Sequence, residues 1–129
     1  MLTLDLTVKK LVLSYESLAN QAVKLNQSYL SLLKLYDELN IASDLLSDLE
    51  QSGNSPLTVI KAMQRDQIVI RDKFMNLSKL IADAQLHFTS NPEAKQLNVI
   101  AHDCQVMQDF INTIDLKDLQ QMFIQLSHF

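Results

Sequence analysis

Leucine recurs every seven residues through the first third of the chain, at Leu4, Leu11, Leu18, Leu25, Leu32, Leu39 and Leu46. Between them, at steps of three and four, stand Val8, Tyr15, Ala22, Tyr29 and Tyr36, until Ser43 ends the series. Residues so spaced share one side only in a helix. No Gly or Pro interrupts residues 1–52, so the pattern predicts one helix over about 3–52, roughly 75 Å long at 1.5 Å per residue. Its weak point is Asn26-Gln27-Ser28, but the leucine ladder passes through in phase and one helix is the preferred reading. The first eight residues are ambiguous. Leu2, Leu4, Leu6 and Val8 alternate with Thr3, Asp5 and Thr7 as in a strand. A lone strand would have nothing to pair with, which favours a helix or a frayed end.

Two breaks follow. Ser52-Gly53-Asn54-Ser55-Pro56 offers Gly53 as a left-handed helix cap, then Ser55 as an N-cap with Pro56 at the first helical position. Thr89-Ser90-Asn91-Pro92-Glu93 repeats the grammar, with Asn91 as cap and Pro92 as start. Between the breaks, over about 56–88, Ile60, Met63, Gln67, Ile70, Phe74, Leu77, Ile81, Ala84 and Phe88 form a stripe with one polar member, Gln67. A lone polar residue there either sets register or sits solvated at the stripe edge. The last segment, about 92–128, opens with Leu97, Ile100, Cys104, Met107, Ile111 and Ile114. The phase then slips to Leu116, Leu119, Met122, Phe123 and Leu126. A continuous or kinked helix bending near Asp115 is preferred over a separate helix capped by Asp115 with Asp118. The expected architecture is all-α: one domain over residues 1–129, an antiparallel bundle of three long helices, four if the last segment breaks.

Composition agrees with this picture. The chain has 129 residues, 47% of them hydrophobic, with one Gly and two Pro, too few turn residues for a sandwich or a doubly wound α/β fold. Charge adds a pairing preference. The first segment has four Lys against seven acids, the second five basic residues against three, the third two against five. A basic middle helix between two acidic ones suits antiparallel packing, although exposed pairs contribute only about 0–1 kcal/mol each. The net charge of −4, with no basic cluster beyond Lys9 and Lys10, disfavours nucleic acid. No stretch approaches the roughly 20 apolar residues of a membrane span. Lys9 and Lys10 follow the first apolar residues, the wrong order for a signal peptide. A single cysteine, Cys104, suits a reducing cytoplasm.

Chemical constellations are sparse. There is no glycine-rich phosphate loop, no Cys-x-x-Cys and no His-Glu-x-x-His, so no enzyme, cofactor or metal site is expected. His102, Asp103 and Cys104 are adjacent, but neighbours on a helix face different sides. Cys104 falls on the apolar stripe and reads as core; His102 reads as surface. Asp83 and His87, four apart, read as a helix-surface pair rather than half a metal site. Tyr15, Tyr29 and Tyr36 place rings in the core and hydroxyls at its rim.

What remains is surface for a partner. The first segment is some 15 residues longer than the second, and its second half is widened by Leu33, Leu35, Ala42 and Leu49. Its first half carries Leu2, Leu6 and Leu13 opposite the ladder, which its own chain would leave uncovered. At the other end stand Met122, Phe123, Leu126 and Phe129, readable as a packed last turn or as an exposed docking patch. These seven residues are the candidate partner-binding set. One alternative is self-association through the leucines of residues 4–25, as a homodimeric coiled coil or adaptor.

Residues about 35–123 also resemble the flagellar export chaperones of the FliT type, small cytoplasmic helical proteins. The resemblance rests on Ala42-Ser43-Asp44-Leu45-Leu46-Ser47-Asp48-Leu49-Glu50-Gln51-Ser52-Gly53 and on a second helix with Leu57, Ile60, Met63-Gln64-Arg65-Asp66 and Leu77-Ser78-Lys79-Leu80-Ile81. It continues in Asp103 before an apolar helix closing on Asp118-Leu119-Gln120-Gln121-Met122-Phe123. It implies a helical chaperone for a secreted client of the filament-cap type, with the export ATPase or a flagellar transcription regulator as further partners. The family's first helix is shorter, and residues 1–25 have no counterpart in it. The C-terminal helix that masks the binding face in well-studied members would begin where this sequence ends.

Overall fold

Thr3 opens the first helix as an N-cap: its Oγ1 accepts from the Leu6 N–H at 3.2 Å, and its carbonyl oxygen accepts from the Thr7 N–H. Asp5, in the first turn, complements the positive end of the helix dipole. This local chemistry resolves the strand-like alternation of the first residues in favour of helix. The computed structural model describes residues 3–41, 48–49, 51 and 55–127. Helix α1, Leu4–Ile41, runs unbroken through Asn26-Gln27-Ser28. The expected continuation through 42–47, and the cap at Gly53, lie outside the described residues.

Helix α2, Pro56–His87, starts where proline at the first position predicts, with the Thr58 and Val59 N–H groups donating to the Ser55 carbonyl oxygen. Its end is closed by Thr89, whose hydroxyl donates to the carbonyl oxygens of Gln85 and Leu86 at 3.0 and 2.7 Å. The next helix does not begin at Pro92. Pro92–Ala94 forms a 3-10 turn, and α3 spans Lys95–Asn112 with no side-chain cap. The Asn91 carbonyl oxygen accepts from the Ala94 N–H within this turn.

The preference for an unbroken last helix is corrected. α3 ends at Asn112, and α4 is a separate helix, Leu116–Ser127. Asp115 causes the restart: its Oδ1 accepts from the Asp118 N–H at 2.9 Å, and its carbonyl oxygen accepts from the Leu119 N–H. The slipped hydrophobic phase is therefore a change of helix. The fold is an all-α bundle of α1, α2 and the joined α3–α4, with no strand among the described residues. No described helix is long and apolar enough to cross a membrane.

Size predicts one domain; contacts gather the chain into two compact units. The first unit combines the chain up to Val23 with Val69–Thr113. Its core joins Leu4, Val8, Leu11, Leu18 and Ala22 of α1 to Phe74, Leu77 and Ile81 of α2 and to Leu97, Cys104 and Ile111 of α3. The Gln85 amide donates to Asn98 Oδ1, and Gln108 Nε2 donates to Ser78 Oγ and the Phe74 carbonyl oxygen. As α2 numbers fall, α3 numbers rise, so the two are antiparallel.

The second unit combines Lys24–Ile68 with the chain from Ile114 onward. Leu25, Leu32 and Leu39 of α1 are buried there, as are Ile60 and Met63 of α2 and Leu116, Leu119, Phe123 and Leu126 of α4. Each fully buried Leu or Ile contributes roughly 1.5–3 kcal/mol. Gln67 is buried, and it donates to the Ile114 carbonyl oxygen at 2.8 Å. Gln64 Nε2 donates to Gln120 Oε1 at 3.3 Å. The lone polar member of the α2 stripe thus takes a fixed hydrogen-bonding place in the core.

Candidate docking site

The structure sorts the seven candidate partner-binding residues into three groups. Leu6 and Leu13 are exposed on α1, with 43% and 58% of their surface open. Met122 is half-buried on α4. Phe123 and Leu126 are core residues, 1% and 7% exposed, so the reading of them as a docking patch is corrected to a packed last turn. The Phe123 ring meets Tyr36 of α1 edge-on, with centroids 5.7 Å apart and planes at 80°. Leu2 and Phe129 lie outside the described residues.

The ladder is not an open seam. Leu4, Leu11 and Leu18 are buried within the first unit and Leu25 within the second. A coiled coil built on these leucines would have to unpack them from these cores.

Open apolar surface lies beside the ladder. In the first unit, α1 and α2 line a groove with two chambers, ≈ 710 and ≈ 510 Å³. Leu11 and Ala84 floor the larger chamber and Phe88 closes it; Leu18 and Leu77 floor the smaller. Ser14 and Leu80 line both, so the two chambers adjoin. Along α1 the groove runs from Thr7 to Gln21, roughly 21 Å of helix, or four turns.

Small side chains open it. Ser14 and Ser17 on α1 and Ala84 on α2 stand where larger residues would bring closure. Leu13 and Leu80 form apolar rims, each 58% exposed. Thr7 and Leu11 lie opposite Ala84 and Phe88, and Gln21 shares its chamber with Lys73, so α1 and α2 are antiparallel. The His87 ring stands perpendicular to that of Phe88 at 4.7 Å, fixing the wider end. The chemistry is that of an apolar trough with a charged margin. Burying its floor under a complementary surface would remove apolar area from solvent.

Sequence reasoning found Leu13 and missed Leu80. Leu80 stands one residue before Ile81 and off the α2 core stripe, a position that periodicity assigns to solvent. The available signal was the pairing of an off-stripe leucine on α2 with a run of serines on α1.

Cys104 is wholly buried, and burial, with the Asp103 charge beside it, pushes its thiol up to about 11, away from the thiolate. His102 is exposed, as are Asp83 and His87. Among the described residues, no three His, Cys, Asp or Glu side chains gather as a metal-binding group. No protein-family model, curated protein or solved structure matches this chain.

Proposed function

We propose that this protein is a helical chaperone or adaptor that holds an amphipathic helix of a client protein in the α1–α2 groove. The observation that carries this reading is the groove itself. It is four turns long, floored by Leu11, Leu18, Leu77 and Ala84 and rimmed by the exposed Leu13 and Leu80. A trough of that length between two helices suits one further helix laying its apolar face against them. In the first unit such a helix would add a fourth member to three already packed.

The finer form of the proposal follows the sequence resemblance: the client is a secreted protein of the flagellar filament-cap type, met in the cytoplasm, with the export ATPase as a further partner. Affinity capture of the tagged full-length protein from its native cells, read by mass spectrometry, tests it. Enrichment of a filament-cap protein or export ATPase by the native chain, lost with Leu80→Asp, supports the reading. Recovery of nothing beyond the untagged copy of this chain overturns it.

A further inference from the structure

The groove's margin carries charge in a definite pattern, and on the docking reading above this pattern describes the occupant. Lys10 stands on the α1 wall of the larger chamber, and Lys73 on the α2 wall of the smaller. Opposite Lys73, the α1 wall offers uncharged Ser17 and Gln21. Opposite Lys10, α2 offers Asp83 and His87. The two lysines therefore lie on different walls at different heights. Lys10 is level with the Asp83–His87 turn, and Lys73 lies ten residues of α2 before Asp83, roughly 15 Å away.

We infer that the groove takes an amphipathic helix whose apolar stripe is flanked on both sides by acidic residues about three turns apart, one meeting Lys10 and the other Lys73. At the height of Asp83, the flank facing α2 carries a neutral or basic residue. A helix flanked by lysines meets two like charges on the walls and binds more weakly, so the margin discriminates between clients while the leucine floor supplies adhesion. Because both lysines are exposed, each pairing changes affinity by up to about fivefold and weakens with salt.

The test uses the full-length protein and two synthetic helices of about 18 residues, long enough to fill four turns. Both carry leucine along one face; one places Glu at the positions meeting Lys10 and Lys73 and Gln at the height of Asp83, and the other replaces both Glu by Lys. Calorimetric titration at low and high salt should show the Glu-flanked helix binding at least tenfold more tightly, with the difference shrinking in salt. Lys10→Glu with Lys73→Glu should reverse the order, and circular dichroism shows whether that variant keeps its helices. Equal binding of the two helices, unaffected by the double reversal, overturns the charge inference and leaves the docking reading standing. Binding of neither overturns both.

Discussion

Gln67 donates its side-chain amide to the main-chain carbonyl oxygen of Ile114 at 2.8 Å, tying α2 to the joint between α3 and α4. Carbonyl groups in a connection between two helices have no helical partner and need others. That of Ile114 is met twice, by Gln67 and by the Leu116 N–H at 3.2 Å. The apolar replacement Gln67→Leu removes the side-chain donor while keeping most of the volume. It should destabilise the protein by about 1 kcal/mol, read as a lower urea midpoint at unchanged slope. An unchanged midpoint would show that this bond adds nothing to the joint.

Phe123 separates a core role from a docking role. It is buried against Tyr36, so Phe123→Ala should cost about 3–5 kcal/mol. Phe123→Asp should abolish the cooperative unfolding transition altogether. Leu13→Asp and Leu80→Asp, at exposed rims, should keep native helicity and shift stability by less than about 0.5 kcal/mol. Circular dichroism melts of the three aspartate variants check this in one series. A folded Phe123→Asp protein would return the last turn to the surface.

These residues also show what the sequence could disclose. The stripes were legible because burial on a helix leaves a period: the ladder from Leu4 to Leu39, apart from its half-buried tyrosines, and the α2 stripe are buried where the period puts them. Cys104 was placed on the core side by the same period, whereas Gln67 was legible only as a choice between core and stripe edge, which its burial and its bond to Ile114 decide. The break at Asp115 was legible only as a choice. A phase slip fits a bend or a restart equally, and the Asp118 N–H to Asp115 bond decides it. Met122, Phe123 and Leu126 look alike in sequence because large apolar groups serve a core or a patch; what covers them is a tertiary fact. The groove left almost no trace, since which residues of α1 and α2 face each other along it is unknown until the helices are paired.

Asp115 offers a direct test of the helix restart. Its side chain satisfies the Asp118 N–H, one of the donors a new helix leaves open. Asp115→Ala should destabilise by about 1 kcal/mol, whereas Asp115→Asn, which keeps a capping oxygen, should fall within a few tenths. Thermal melts of both variants would show it. Equal losses would mean that charge near the helix end, rather than the capping bond, is the stabilising term.

The final prediction concerns alkaline pH. The Cys104 thiol is pushed from an ordinary value of 9.0 up to about 11, first by burial and then by the Asp103 charge. Tyr15, in the same unit, is also raised, by burial first and then by Asp103 and Cys104. Above pH 9 the unfolded chain releases the thiol proton while the folded chain still holds it. Unfolding is then favoured by proton loss, so stability is fully present below pH 9 and falls as pH rises toward 11. Cys104→Ala removes this thiol and should flatten the fall, leaving the smaller part due to Tyr15 at higher pH; any cavity cost of the alanine is the same at every pH. A series of urea midpoints from neutral to alkaline pH reads both effects. Parallel losses in the native chain and Cys104→Ala would show that the buried thiol does not govern the alkaline limit. Alkylation gives an independent readout, because at pH 8 the folded protein should react with iodoacetamide far more slowly than the urea-unfolded chain.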